Sequence, residues 1–100
     1  MPRFDIYPGR GRTAFLLDVQ SDHLEALPTR TVVPLEPGDK SALPGFRDLT
    51  PQLDVAGTPM VMLTPLIAAV PRRLLGKPIG NLLVQADEIT RALDILLTGF

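Results

Sequence analysis

Three clusters in this chain bring together side chains capable of chemistry. Ser21, Asp22 and His23 are consecutive and offer a hydroxyl, a carboxylate and an imidazole. Arg10, Arg12 and Thr13 belong to the glycine-rich run Pro8-Gly9-Arg10-Gly11-Arg12-Thr13. Thr98-Gly99-Phe100 closes the sequence on an apolar residue. The first cluster has the atoms of a hydrolytic triad without its geometry. Triads are assembled across space, each side chain within reach of the next, whereas consecutive residues at a helix start point in different directions. Ser21 and Asp22 read instead as helix caps, with Glu25 placed as in a capping box and His23 on the surface. The second cluster lacks the Lys-Ser or Lys-Thr of a phosphate-binding loop and does not run into a helix. It reads as a β-hairpin tip with solvated arginines. One histidine and no cysteine leave no metal constellation. No catalytic, cofactor-binding or metal-ligating residue is assigned, and the chain reads as a domain that works by binding.

The elements that must position these residues follow from the apolar pattern. Phe4 to Tyr7 forms a short first strand, and Pro8 to Arg12 turns the chain. Thr13 to Val19 is a second strand, nearly continuous in apolar residues and therefore central. Asp18 within it is structural, accepting backbone or arginine hydrogen bonds once buried. Pro28 limits the helical turn after Ser21. Thr31 to Leu35 is a third strand, which Pro34 places at an edge or a bulge. Glu36 to Thr50, with its prolines, glycines and charges, is a long loop. Leu53 to Val55 and Met60 to Leu63 make a hairpin around Ala56-Gly57-Thr58-Pro59. Pro65 to Asn81 is extended with bends, because Pro71 and Pro78 suit neither helix nor central strand.

The last element is the clearest. Leu82, Ala86, Ile89, Leu93, Leu96 and Leu97 recur at spacings of three and four and give one apolar stripe. Gly99 is its natural stop. Phe100, beyond that stop, either packs on its own domain or is offered to a partner. Short strands followed by one terminal helix imply a single domain over 1–100, a small β-barrel or β-rich α+β fold.

Composition sets the class. Forty-five per cent hydrophobic residues are enough to offset chain entropy, so the chain is not disordered. A formal charge of -1 argues against non-specific nucleic-acid binding, which draws on a net basic surface. The most apolar run, Met60 to Val70, is broken by Thr64 and Pro65 and falls short of the roughly 20 residues that span a bilayer. With no cysteine, the expected compartment is the cytoplasm.

Phe4-x-Ile6-Tyr7, Leu17-Asp18-Val19-Gln20-Ser21-Asp22, Val32-Val33-Pro34-Leu35 and the closing helix with its penultimate glycine resemble the CcdB toxin family over nearly the whole chain. The resemblance implies a mainly β fold with a C-terminal helix, an SH3-like barrel of the CcdB/MazF type, assembled as a homodimer. It implies a toxin of a type II toxin-antitoxin module that binds the A subunit of DNA gyrase and traps its cleaved-DNA complex. It also implies a CcdA-like antitoxin that neutralises the toxin through a disordered C-terminal segment, no direct nucleic-acid or membrane contact, and no cofactor.

Carried onto this chain, the family's Trp-Gly-Ile ending falls on Thr98, Gly99 and Phe100. The tryptophan is missing, and truncating such a hot spot costs upwards of about 2 kcal/mol, roughly thirtyfold in dissociation constant. Other gyrase-facing positions fall on Arg3, Phe4, Tyr7, Ser21, His23, Leu24 and Asp94. Among them Arg3 replaces an amide, His23 an aliphatic residue and Asp94 an asparagine. The antitoxin-facing loop falls on Pro8, Gly9, Arg10, Gly11, Arg12 and Thr13, with help from Lys40 to Phe46. The dimer interface falls on Leu93, Leu96 and Leu97. Two rival functions stay open. One is a MazF- or Kid-like endoribonuclease using Arg10, Arg12 and Thr13. The other is a relative that has lost gyrase binding and only binds antitoxin.

Overall fold

The computed structural model describes residues 2–38 and 47–99. Asp5–Pro8 (β1) and Phe15–Asp18 (β2) form an antiparallel hairpin with Ile6 opposite Leu17. Its tip closes through Thr13 N–H donating to the Arg10 carbonyl at 3.0 Å, with Gly11 at φ 61°. At Gly9 a Cβ would lie 2.2 Å from the Thr13 carbonyl oxygen, so only glycine admits so close a return of the chain. Thr29–Pro37 (β3) pairs with β2 along one side.

Along its other side β3 has two partners in succession. Its first half meets Ala68–Pro71 (β6), and its last residues meet Thr58–Met62 (β5). Gln52–Val55 (β4) pairs with β5, and the two-residue Gly80–Asn81 (β7) pairs with β1. The strand order is therefore β4-β5-β3-β2-β1-β7, with β6 beside β3. The sheet curls into a half-barrel, and Ala86–Thr98 (α1) is the helix that follows it.

Three sequence expectations change here. Pro34 was expected to mark an edge or a bulge, yet β3 is the strand with most partners. Proline is tolerated because it falls between the β6 and β5 pairings, where its carbonyl accepts from Leu63 N–H at 3.0 Å and no ladder bond is lost. The capping box expected from Asp22 and Glu25 is replaced by a single turn of 3₁₀ helix, Asp22–Leu24, capped by Ser21. The expected long loop begins later than Glu36, because β3 runs to Pro37. Ala56 at φ 52° and Gly57 at φ 86° form a two-residue β4–β5 turn in the primed geometry that matches strand twist. The stretch from Pro65 to Asn81 is extended with bends, as expected, with 3₁₀ turns at Thr64–Leu66 and Arg72–Leu74.

Both faces of the β1–β2–β3 region are buried, which accounts for the nearly continuous apolar reading of β2. One face sends Ile6, Leu17, Val33 and Leu35 into the main core, which Ile89, Ala92 and Leu93 of α1 complete. The opposite face carries a second, smaller cluster of Tyr7, Val32 and Leu75, with Leu16 and Val70 packed against it. Asp18 and Arg30 are both fully buried. Arg30 donates to Asp18 Oδ2 through Nε at 2.8 Å and lies 2.7 Å from it through Nη2, while Gln20 N–H donates to Oδ1 at 3.0 Å. Burial pushes the Asp18 carboxyl above its ordinary pKa, and the Arg30 and Gln20 hydrogen bonds oppose the shift.

The seam of the half-barrel is closed by a side chain. Gln85, just before α1, accepts from Asp54 N–H at 2.8 Å and donates to the Asp54 carbonyl at 2.7 Å. Its amide thus acts toward β4 as a neighbouring peptide group would.

Candidate partner-binding surface

Helix α1 buries its first half and exposes its end. Ile89 and Ala92 are fully covered, Leu96 is half-buried and Leu97 is 74% exposed. At about 100° per residue, Leu97 lies roughly 80° around the helix from Ile89, which turns it off the core-facing stripe. Gly99, at φ 81°, ends the helix with its N–H donating to the Ile95 carbonyl at 3.0 Å. Thr98 donates its hydroxyl to the Asp94 carbonyl at 2.5 Å, and both residues are exposed.

A second surface forms where the N-terminal segment crosses the turn after β2. Arg3 donates its N–H to Asp22 Oδ1 at 2.8 Å and its Nε to the Val19 carbonyl at 3.1 Å. Its guanidinium sits 4.7 Å from the Phe4 ring centroid. Ser21 Oγ accepts from His23 N–H at 3.2 Å, and His23 and Leu24 are exposed. The Ser-Asp-His run is therefore spent on capping and tethering. Phe4 adopts φ 73°, a left-handed conformation that is strained for an aromatic residue. Burial of its ring and hydrogen bonds at its amide, to Asp18, and at its carbonyl, from Leu82, hold it there.

A third surface is a cavity of about 380 Å³ between the β1–β2 tip and the segment after β6. Leu16, Val70 and Leu75 form its apolar base, and Leu74, 69% exposed, stands at its mouth. Pro8, Gly9, Arg10 and Thr13 line the hairpin side. Among the described residues there is no cluster of three metal-ligating side chains, and no helix is long and apolar enough to cross a membrane.

The family model described as CcdB protein matches residues 3–99, nearly the whole chain, and the helix end and N-terminal crossing both lie within it. The chain belongs to the CcdB family. Membership supports a toxin of a toxin-antitoxin module.

The positions carried over from the CcdB family are distributed unevenly. Arg3, Ser21, His23, Leu24, Asp94, Thr98 and Gly99 all reach the surface. Phe4 and Tyr7, expected as gyrase contacts, are 4% and 1% exposed, so in this chain they support the surface from beneath. The Tyr7 hydroxyl is buried without a hydrogen-bond partner among the described residues. Burial raises its pKa, Asp5 and Asp18 add to the rise, and Arg30 and Arg72 oppose it. Leu93, expected at the dimer interface, is 7% exposed and belongs to the main core. Only Leu96 and Leu97 of that group offer surface.

Of the antitoxin-loop positions, Pro8, Gly9, Arg10 and Thr13 line the cavity, while Gly11 and Arg12 are exposed at the tip. Phe100 and the span Lys40 to Phe46 lie outside the described residues. Sequence reasoning missed Leu16, Val70, Leu74 and Leu75 as cavity residues. The available signal was Leu74-Leu75, an apolar pair between Arg72-Arg73 and Lys77 in a stretch with no strong periodicity.

Proposed function

We propose that this chain is a non-enzymatic toxin that binds the A subunit of DNA gyrase and holds the enzyme in its cleaved-DNA state. In this reading it acts in the cytoplasm as a homodimer and is neutralised by a cognate antitoxin. The observation that carries the reading is the CcdB match over residues 3–99. The end of α1 supports it, because a helix anchored by Ile89 and Leu93 presents Leu97, Thr98 and Gly99 to solvent. Exposed apolar area at a helix end marks a contact surface more readily than a catalytic one.

The same feature supports the dimer. Leu97 stands exposed beside half-buried Leu96, and Leu66, 60% exposed, lies in a turn that contacts α1. The outer edge of β6 has no strand partner among the described residues, and Ala68 and Ala69 on it are exposed.

The test is supercoiling by purified gyrase with the full chain and with a chain truncated after Leu97, paired with induced expression in bacteria. The proposal requires cleaved-DNA complexes and growth arrest with the full chain, and loss of both on truncation. Unimpaired supercoiling at micromolar protein would count decisively against it. Arrest that survives truncation, with RNA cleavage, would favour the nuclease reading.

A further inference from the structure

Pro2 to Asp5 form a tight turn, closed by Asp5 N–H donating to the Pro2 carbonyl at 3.3 Å. Phe4, at φ 73°, holds its third position. A positive φ there suits glycine or asparagine, so the buried phenylalanine is placed against its local preference. Strain of this kind persists only where the surroundings hold it, and it gathers where a defined geometry is used. Besides the bonds at the Phe4 amide and carbonyl, one side chain holds the turn. Asn81 donates through Nδ2 to the Arg3 carbonyl at 3.1 Å and to Asp5 Oδ1 at 2.9 Å, straddling Phe4. Its Oδ1 accepts from Leu83 N–H at 2.7 Å, which fixes the orientation of the amide. Relaxing Phe4 to a negative φ would turn the peptide joining it to Arg3 away from Asn81 and take the Arg3 guanidinium off the ring.

What the strained turn holds in place is half-buried Arg3. Its guanidinium lies 4.7 Å from the Phe4 ring centroid, and its Nε donates to the Val19 carbonyl at 3.1 Å. Asp22 is engaged by the Arg3 backbone N–H rather than by the guanidinium. Among the described residues nothing accepts from Nη1 or Nη2. With one face on a ring and one nitrogen tied, the remaining edge is a fixed fork, which takes a carboxylate through two parallel hydrogen bonds. The local charge disfavours a polyanion, because residues 18–27 hold Asp18, Asp22 and Glu25 and neither lysine nor arginine. A phosphate backbone draws on several cations together, whereas one carboxylate is matched by one fork.

We infer that Asn81 is a positioning residue for target binding, holding Arg3 as a preorganised fork for an aspartate or glutamate side chain of the target. The inference rests on the target-binding part of the proposed function. It adds to that reading the chemical group recognised at Arg3 and the residue that prepares the recognition. A long side chain that is already ordered loses little freedom when it binds, so Asn81 acts by lowering the cost of the contact.

The test uses the full chain, labelled with ¹³C and ¹⁵N and titrated with sodium acetate against sodium chloride at equal ionic strength. The Arg3 Nε–Hε resonance should shift saturably with acetate, further and at lower concentration than those of the exposed Arg10, Arg12, Arg73 and Arg91. Arg3→Lys keeps the charge and loses the fork, so the acetate response at the Phe4 amide should disappear. Asn81→Ala should weaken acetate binding at Arg3 by about two- to tenfold, the cost of ordering one long side chain on binding. Gln85→Ala also removes two hydrogen bonds between a side chain and strand backbone, and it should leave the acetate response unchanged. That comparison separates positioning from a general loss of stability.

Should Asn81→Ala fail to fold, the wild-type titration and Arg3→Lys still decide the matter. Acetate shifts of equal size at Arg3 and at the exposed arginines, or Asn81→Ala binding acetate as the wild type does, would overturn the inference. Binding to the purified A subunit of gyrase is then measured with the same variants, and Arg3→Lys and Asn81→Ala should each weaken it. A chain that binds gyrase as tightly with Arg3→Lys as without it refutes carboxylate recognition at Arg3 and leaves the gyrase reading standing. A chain that takes acetate selectively at Arg3 yet does not bind gyrase refutes only the gyrase reading.

Discussion

Arg30→Met tests whether the buried ion pair is a structural necessity. Asp18 and Arg30 are each fully inaccessible, and Arg30 supplies two contacts to Asp18 Oδ2 while the Gln20 amide supplies the contact to Oδ1. Removing the guanidinium leaves the carboxylate in the interior with the Gln20 amide as its remaining donor in this network. Breaking a buried pair by deleting one member costs about 3–5 kcal/mol. The carboxyl can escape by taking a proton. At pH 7, holding a proton on a group that releases it near 3.9 when unfolded costs about 4 kcal/mol, at about 1.36 kcal/mol per pH unit. Both routes converge on a loss of about 4 kcal/mol, much of the typical stability of a domain this size.

The proton route fixes the sign of the pH dependence. Without Arg30 the folded-state pKa of Asp18 lies well above the unfolded value. The stability is then fully present below the unfolded pKa and lost as pH rises through the folded one. At pH 5 the protonation cost falls to about 1.5 kcal/mol, so the variant should regain about 2.5 kcal/mol relative to wild type between pH 7 and pH 5. Urea unfolding followed by far-UV circular dichroism at the two pH values measures this directly. Asp18→Leu combined with Arg30→Met removes both charges and should recover most of the loss, which also covers a single variant too unstable to purify. A single-variant loss below about 1 kcal/mol at pH 7, or no difference between the two pH values, would refute the assignment.

Tyr7 is the chain's one tyrosine and there is no tryptophan, so phenolate absorbance reads this residue alone. Its native titration midpoint should lie above the ordinary 10.0. Because the unfolded chain ionises first, stability should fall as pH rises beyond that value, by about 1.4 kcal/mol for each unit of separation. A native midpoint at or below 10.0 would contradict the buried placement. Ala56→Asn places Asn-Gly in the β4–β5 turn, where φ 52° is unfavourable for alanine, and should raise stability by about 0.5–1 kcal/mol. A lowered urea midpoint would show that the turn does not hold that conformation in solution.

How much of this was legible depended on whether the signal was local. The Ala56-Gly57 turn, the α1 stripe and the Gly99 stop are set by neighbouring residues: Gly99 stands where the sequence placed it, the turn is tighter than expected because Thr58 and Pro59 join β5, and the stripe loses Leu82, which precedes α1, and Leu97, which faces solvent. The structural role of Asp18 was legible because a carboxylate in an apolar strand must find donors. Its partner Arg30 was not, since that pairing depends on which strand lies beside β2. Pro34 misled because proline excludes ladder donation at its own position, while the sequence cannot show that β3 changes partners there. The surface was legible where residues are polar, at Ser21 and His23, and less so where Phe4 and Tyr7 could be either contact or core. The cavity was hidden because its base comes from β2, β6 and Leu75 beyond β6, and β2 and β6 meet only through β3.

The Gln85 amide that closes the half-barrel has a consequence for motion. A strand edge sealed by a ladder opens only when the neighbouring strand leaves, but here one χ rotation of one side chain exposes the Asp54 N–H. Hydrogen exchange at Asp54 should therefore report local opening of the seam, at a free energy well below that of Leu17 or Val33 in the paired centre of the sheet. The barrel would breathe along a single line between β4 and the start of α1. That line lies at the root of the helix whose far end meets the proposed target.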